Sequence, residues 1–282
     1  MTVKFDQDDL LHAAEFIAGA NALVVAAGAG IGVDSGLPDF RGNEGFWKAY
    51  PALAQAQLSF TRVASPRTFE EDPSLGWGFY GHRLKLYRDT VPHEGFHILQ
   101  RWGQQMPDGM AVFTSNVDGQ FHKAGFDPDL IHECHGSIHH LQCAQGCSED
   151  IWSAREFKPE VDEVKCRLIN ALPTCPRCGG LARPNVLMFG DMGWLEQREQ
   201  AQASRLKHWL VRAQRPVVVE LGAGTAIPSV RYFSQEVVHE HGGRLIRINP
   251  RESAVGSKLD VGLASGSLDA LRAIDEVLAG MS

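Results

Sequence analysis

The stretch ALVVAAGAG, residues 22–30, decides the fold of this chain. Its first six residues are all apolar, and an unbroken apolar run of this length is typical of a strand buried on both faces of a parallel sheet. Gly28, Ala29 and Gly30 follow at once, and glycines in that place let backbone amides approach a phosphate group. We therefore predict a strand and a glycine turn that open a nucleotide-binding domain.

Further apolar runs alternate with helical stretches along the chain. The predicted helices span 8–20, preceded by an N-cap at Asp6, and then 93–105, 196–214 and 228–241. The predicted strands lie at 111–114, 185–189, 217–221 and 245–248. Strands that alternate with helices indicate an α/β fold with a Rossmann-like, doubly wound parallel sheet.

The composition is that of a globular protein. Of the 282 residues, 44% are hydrophobic and 22% are charged, and the net charge is −7. An acidic balance without a cluster of Lys or Arg argues against nucleic-acid binding. No apolar stretch approaches the roughly 18 residues that cross a membrane, and residues 1–9 lack the apolar core of a signal peptide. We therefore expect a cytoplasmic protein that binds neither nucleic acid nor a membrane.

Four of the six cysteines form two close pairs. Cys143 and Cys147 are followed, after 27 residues, by Cys175 and Cys178. Four thiolates in two such pairs match a tetrahedral Zn²⁺ site, and disulfides are uncommon in a cytosolic chain. Because protein groups fill all four positions, no position is left for water, and the predicted zinc is structural. The alternative is four unrelated buried thiols.

Two segments interrupt the alternation of strands and helices. One is 43–89, which begins as a cofactor loop and continues as a helical module, and the other is 143–182, which holds the paired cysteines. We expect both to leave the sheet and to form a smaller inserted zinc-plus-helical domain. The Rossmann-like NAD-binding domain would then consist of 1–42, 90–142 and 183–282.

The ordered motifs of the chain resemble those of the sirtuin family. They are GAGIGVDSGLPDFRG at 28–42, TSNVD at 114–118, His135-Gly136, the two cysteine pairs, and RPNVLMFGD at 183–191. The resemblance implies a Rossmann-fold large domain, a small zinc-containing domain, and NAD-dependent removal of acyl groups from protein lysines. The products would be nicotinamide and an O-acyl-ADP-ribose, and the partners would be acylated lysines of proteins or peptides.

The implied reaction needs a base, because a ribose hydroxyl attacks the imidate formed when the acyl oxygen displaces nicotinamide. A neutral imidazole suits that task near physiological pH. The position of His135 before Gly136 selects it among the 12 histidines; the alternatives are a structural histidine and a metal ligand. The resemblance also assigns Asn116 to the ribose and an ordered water, and Asp118 to the nicotinamide carboxamide. An Asx turn that caps the next helix is the alternative for these two residues.

The other predicted cofactor residues lie in loops. The resemblance implies that Asp39, Phe40 and Arg41 lie in the cofactor loop, where Phe40 would cover the nicotinamide face and Arg41 would meet polar groups of NAD. It also implies that Asn249 reaches the adenosine ribose. The alternative for each of these segments is an ordinary turn. A second amide-rich turn follows the strand at 217–221. The predicted NAD-binding residues are therefore Gly28, Ala29, Gly30, Asp39, Phe40, Arg41, Ser115, Asn116, Asp118, Gly222, Ala223, Gly224 and Asn249.

A short exposed strand within RPNVLMFGD could pair with the backbone of an extended substrate peptide. Val186 and Phe189 would line the lysine tunnel. The alternative is a core strand, particularly for Leu187 and Met188.

The pair Tyr80 and Arg83 predicts which acyl groups are accepted. The two residues stand three apart, so on a helix they share a face, and a phenol beside a guanidinium can hold a distal carboxylate. The arrangement resembles that of sirtuins that accept succinyl- and malonyl-lysine. The alternative is a surface arginine beside a half-buried tyrosine.

Several positions depart from the usual family pattern. Gly32 stands in place of Ser, Ser115 in place of Gln, Asp191 in place of Glu, and Gly222-Ala223-Gly224 in place of a Gly-Thr-Ser turn. These departures leave two alternative functions open, namely transfer of ADP-ribose to protein and a non-enzymatic NAD or ADP-ribose sensor. The set of Asn116, Asp118 and His135 favours deacylation.

Overall fold

The computed structural model describes residues 5–38 and 42–281, and the side chains of 42–44 are not described. The strands are β1 Ala22–Ala27, β2 Met110–Thr114, β3 Ile131–Glu133, β4 Gly136–Cys143, β5 Ile151–Ser153, β6 Val161–Asp162, β7 Arg167–Leu168, β8 Ala182–Val186, β9 Pro216–Leu221, β10 Arg244–Ile248 and β11 Val261–Leu263. The α-helices are α1 Gln7–Gly19, α2 Gly42–Ala49, α3 Pro51–Gln55, α4 Phe60–Val63, α5 Pro66–Glu71, α6 Pro73–Asp89, α7 Glu94–Gln105, α8 Gln120–Lys123, α9 Gln197–Leu210, α10 Ser229–His241 and α11 Ser267–Met281.

The main sheet contains six strands within the described residues, in the order β11-β10-β9-β1-β2-β3, and all neighbours are parallel. Every residue of β1 and β9 is buried, as expected for strands covered on both faces. Apolar side chains of α1, α7 and α11 pack on one face, and those of α9 and α10 pack on the other. The predicted doubly wound parallel sheet is confirmed.

The predicted helices agree with α1, α7, α9 and α10 to within a few residues at their ends. At the start of α1, the Asp6 carboxylate accepts a hydrogen bond from the amide of Asp8 at 2.9 Å, which confirms the predicted N-cap. Within the described ranges, no helix is long and apolar enough to cross a membrane.

A second sheet has the order β5-β4-β8 and is antiparallel. The prediction of a main-sheet strand at 185–189 is wrong in both its bounds and its sheet, because β8 ends at Val186 and pairs with β4. The two paired strands lead directly to cysteines, since β4 ends at Cys143 and β8 begins shortly after Cys178. The cysteine cluster thus brings these strands together, and an apolar run by itself does not identify its pairing partner.

The two segments that interrupt the main alternation share one apolar core. It joins buried side chains of α2 to α6, such as Phe46 and Trp77, to Cys166, Leu168 and other residues of the cysteine-bearing segment. The indole of Trp77 donates to the carbonyl of Ala182 at 2.9 Å. A Cβ on Gly78 would lie 2.1 Å from the carbonyl oxygen of Cys166, so α6 and this segment are in direct backbone contact. The exact domain boundaries stay a prediction.

Candidate active site

The main cleft opens where the strand order reverses, at the carboxyl ends of β1 and β9. There the amide of Gly28 donates to the carbonyl of Leu221 at 2.9 Å, and the amide of Gly30 donates to that of Gly222 at 3.1 Å. A Cβ on Gly222, whose φ is +60°, would lie 2.4 Å from the Cα of Gly30. Glycines are therefore required for the two turns to meet at this edge, which is the place where open α/β sheets bind ligands.

The cleft has a volume of about 780 Å³. Its walls come from both glycine turns, the carboxyl ends of β2 and β3, helix α6, and the loop after β8. Most of the predicted site residues line it together: Gly28, Ala29, Tyr80, Arg83, Ser115, Asn116, Asp118, His135, Val186, Phe189, Gly222, Ala223 and Gly224. Asp39, Phe40 and Arg41 lie outside the described residues.

Asn116 is held at the end of β2 by the first glycine turn. Its Nδ2 donates to the carbonyl of Gly28 at 3.1 Å, and its backbone amide donates to Oγ1 of Thr114 at 3.0 Å. The side chain is buried but faces the cleft. The turn that is predicted to bind the pyrophosphate therefore also sets the orientation of this carboxamide.

Asp118 is a buried carboxylic acid two residues further along. Burial raises its pKa to about 6, although the hydrogen bond that Oδ1 accepts from the amide of Gln120, at 2.9 Å, acts in the opposite direction. The predicted Asx turn that caps the next helix is thus present as well, because Gln120 begins α8. Capping does not exclude a binding role, since the second carboxylate oxygen remains for a ligand in the cleft.

His135 follows β3 and precedes a glycine with φ of +77°. A Cβ on Gly136 would lie 2.3 Å from the carbonyl oxygen of Asn185, so the pairing of β4 with β8 requires glycine at this position. Burial lowers the pKa of His135, while a hydrogen bond with the backbone of Ser115 partly raises it. The residue lines the cleft, and its Nε2 lies 3.4 Å from Oγ of Ser229. His135 is therefore a neutral imidazole at physiological pH, and it is able to accept a proton.

Asn249 lies behind the second glycine turn and is not among the residues that line the cleft, and its contact with the adenosine ribose stays a prediction. Its side chain is fully buried, Nδ2 donates to the carbonyl of Ala223 at 2.8 Å, and Oδ1 accepts from the amides of Arg251 and Glu252 at 3.0 Å each. These bonds support the second glycine turn from behind. Glu252 lines the cleft instead. Its position, three residues past a buried asparagine at a strand end, was the sequence signal that we missed.

The segment 187–191 forms one wall of the cleft after β8 ends. The amide of Leu187 donates to the carbonyl of His135, and the amide of Phe189 donates to that of Ala64, both at 2.9 Å. Leu187 is 40% exposed and Met188 is buried, but both lie beyond the end of β8, so the core-strand alternative is wrong for both residues. The expected exposed strand is wrong for β8 itself, in which all residues are buried.

An ion pair fixes this loop. Both Nη atoms of Arg183 donate to the carboxylate of Asp191, at 2.6 and 2.9 Å, and this carboxylate also accepts from the amides of Gly193 and Met188. The two side chains are only 4% and 0% exposed. Although the sirtuin pattern usually has glutamate at this position, the shorter side chain of Asp191 still forms a two-bond ion pair with Arg183.

Tyr80 and Arg83 lie side by side on α6, as predicted, but both are buried rather than on the surface. The guanidinium carbon lies 5.6 Å from the centre of the Tyr80 ring and 5.1 Å from that of Phe79. Burial raises the pKa of Tyr80 to about 12, so its hydroxyl keeps its proton and can donate. The surface-arginine alternative is wrong.

The four paired cysteines converge as predicted. Their sulfur atoms all lie within 4.8 Å of one another, with Sγ–Sγ distances of 3.7 Å between Cys143 and Cys178 and 3.5 Å between Cys147 and Cys175. Tetrahedral Zn–S bonds of about 2.3 Å place sulfur atoms about 3.8 Å apart, so the donor set fits zinc. Cys166 lies outside this cluster and is buried in the core that α2 to α6 share with the cysteine-bearing segment.

Comparisons with known proteins agree with this arrangement. Residues 28–211 match the model of the Sir2 family. An NAD-dependent protein deacylase of Pyrococcus furiosus is 33% identical over 241 residues, which cover 86% of each chain. The mitochondrial NAD-dependent protein deacylase sirtuin-5 of Danio rerio is 34% identical over 199 residues, covering 65% of this chain and 61% of the relative.

Solved structures show the same fold. A Sir2 homologue in complex with NAD has a TM-score of 0.74 and 24% identity, covering 100% of this chain and 98% of the other. A mutant Sir2 homologue in complex with 2′-O-acetyl ADP ribose has a TM-score of 0.71 and 26% identity, covering 99% and 98%. On the strength of the matched motifs, the shared fold and the relatives, this chain belongs to the Sir2 family.

Proposed function

We propose that this chain is an NAD-dependent protein lysine deacylase that acts on acetyl-lysine and, with preference, on acyl chains that end in a carboxylate, such as succinyl and malonyl. One observation carries the proposal. A single cleft at the switch point of the sheet brings together two glycine turns, a buried carboxamide, a buried carboxyl group and a neutral imidazole. The names of the deacylase relatives support the same reaction class.

NAD would lie across the meeting point of the two glycine turns, and it supplies the ribose carbon that receives the acyl oxygen. Gly28, Gly222 and Gly224 carry no side chain that would keep a pyrophosphate from the backbone of the two turns, and the N-terminus of α10 would favour its negative charge. Asp118 would accept from the carboxamide of nicotinamide. Asn116 would hold the ribose and an ordered water.

His135 would act as the general base. Its lowered pKa keeps the imidazole neutral near physiological pH, so the ring has one unprotonated nitrogen that can take a proton from a ribose hydroxyl. The hydrogen bond between the imidazole and the backbone of Ser115 restrains the ring, and Oγ of Ser229 lies 3.4 Å from Nε2.

The substrate peptide would lie along the loop after β8, with the acyl-lysine between Val186 and Phe189. At the far end of the acyl chain, Arg83 is a buried cation and Tyr80 is a buried donor. Burial alone lowers the pKa of Arg83, but the phenols of Tyr87 and Tyr80 raise it overall, so the guanidinium stays charged. A carboxylate would form charge-assisted hydrogen bonds with both groups, which an acetyl group cannot do.

The test compares succinyl- and acetyl-lysine forms of one peptide with NAD. We expect a higher kcat/KM for the succinyl form, and we expect Arg83→Met to reverse that order because it removes the cation and retains much of the volume. The matched control is Arg272→Met, which changes an exposed arginine of α11 that pairs with Glu94 outside the cleft. If Arg83→Met retains the wild-type order, the proposed carboxylate preference is wrong.

A further inference from the structure

Helix α6 contributes a third polar side chain to the cleft, that of Tyr87, beside Tyr80 and Arg83. Tyr80, Arg83 and Tyr87 are spaced i, i+3 and i+7 on α6, which places all three along one face of the helix. All three line the cleft, and they are 1%, 8% and 6% exposed. Arg83 therefore lies between two buried phenols.

Tyr87 contacts Arg83 directly. The Nε–H of Arg83 donates to the hydroxyl oxygen of Tyr87 at 2.8 Å, and the guanidinium carbon lies 5.4 Å from the centre of the Tyr87 ring. A guanidinium is planar, so a bond at Nε fixes the plane in which its other N–H groups lie. Fixing that plane matters for binding a carboxylate, because the two parallel bonds of such a pair require a defined orientation.

The hydroxyl of Tyr87 retains a donor for a ligand. A phenol can accept and donate at once, and its oxygen here accepts from Arg83. Across the part of the chain that the structure describes, no group accepts the hydroxyl hydrogen of Tyr87. Burial raises the pKa of Tyr87, so this hydrogen stays on the oxygen.

We propose that Tyr87 determines acyl specificity, because it orients Arg83 through Nε and donates its own hydroxyl hydrogen to the distal carboxylate of the acyl chain. The carboxylate site then has three members, Tyr80, Arg83 and Tyr87. This inference rests on the proposed preference for acyl chains that end in a carboxylate.

The deciding variant is Tyr87→Phe, which keeps the ring beneath the guanidinium and removes only the hydroxyl. We expect the ratio of KM for the succinyl peptide to KM for the acetyl peptide to rise about ten-fold, which corresponds to about 1.4 kcal/mol. That loss is the size expected for one hydrogen bond to a charged group. The effect should appear mainly in KM, because the carboxylate is remote from the reacting carbon.

Tyr50→Phe is the matched control. Tyr50 is also a buried tyrosine, and its hydroxyl bonds to Nδ1 of His82 at 2.9 Å, but it does not line the cleft. We expect this variant to keep the wild-type KM ratio. Melting temperatures of both variants report any general loss of stability.

The possible outcomes separate the two proposals. If Arg83→Met retains the succinyl preference, the proposed carboxylate recognition fails and the role of Tyr87 fails with it. If Arg83→Met abolishes the preference while Tyr87→Phe keeps the wild-type KM ratio, only the inference about Tyr87 is overturned. An equal rise of both KM values in Tyr87→Phe would also overturn it, because that result indicates a merely structural tyrosine.

Discussion

Replacement of Asp191 by alanine should destabilise the protein and weaken peptide binding. Asp191 is fully buried, and its carboxylate receives two bonds from Arg183 and one each from the amides of Gly193 and Met188. The variant leaves Arg183 as an uncompensated charge that is 4% exposed. Breaking a buried pair in this way costs about 3–5 kcal/mol. For a chain of this size each kcal/mol lowers Tm by about 1.7 °C, so we expect a decrease of at least about 5 °C.

Two measurements check this prediction, namely the thermal unfolding of the protein and the KM for an acyl peptide. KM should rise because the amides that Asp191 holds belong to the loop along the cleft. Removing both charges in Arg183→Met with Asp191→Leu should restore much of the lost stability, since no buried charge is left unpaired. Arg272→Ala, which breaks an exposed pair, should change the stability by less than about 1 kcal/mol. An Asp191→Ala protein that melts within about 2 °C of wild type would refute the reasoning.

Two further predictions concern pH and metal. Burial, and then the nearby Arg198, lower the pKa of His140 to about 4, so between about pH 6.5 and 4 the unfolded chain binds a proton that the folded chain does not. The free energy of unfolding should therefore fall as the pH falls through that window. His140→Gln should reduce the slope of this free energy against pH by about one proton, whereas the exposed control His12→Gln should not. If denaturant titrations of His140→Gln give the wild-type slope, the prediction is wrong. Cys175→Ala or chelation should lower Tm and turnover together, because structural zinc contributes on the order of 10 kcal/mol of folding free energy in small domains. The control variant Cys166→Ala should retain its zinc in metal analysis. Lost activity with an intact melting profile would contradict the structural role of the zinc.

The main sheet could be predicted because its signals are local. β1 is an unbroken apolar run followed by glycines, and the cysteine spacing indicates a tetrahedral metal site directly. The pairing of β8 could not be predicted in this way. An apolar run does not specify its partner strand, and in this fold the cysteine cluster selects β4.

The resemblance to the sirtuin motifs pointed to Asn116, Asp118 and His135, and all three line the cleft, while their roles stay predictions. Side-chain direction was harder to predict. Asn249 lies at the expected strand end, yet its carboxamide supports the backbone of Ala223 and does not line the cleft. Tyr87 was missed because its role depends on a bond to Arg83 that only the packed helix reveals.

The central claim is that this cleft couples consumption of NAD to removal of an acyl group from lysine. The most direct measurement follows nicotinamide and the mass of an acylated peptide together, with wild type and with His135→Tyr. We expect one nicotinamide released and one O-acyl-ADP-ribose formed for each acyl group lost, with both products absent from the variant. A gain of ADP-ribose mass on protein, or an unchanged peptide and no consumption of NAD, would contradict it.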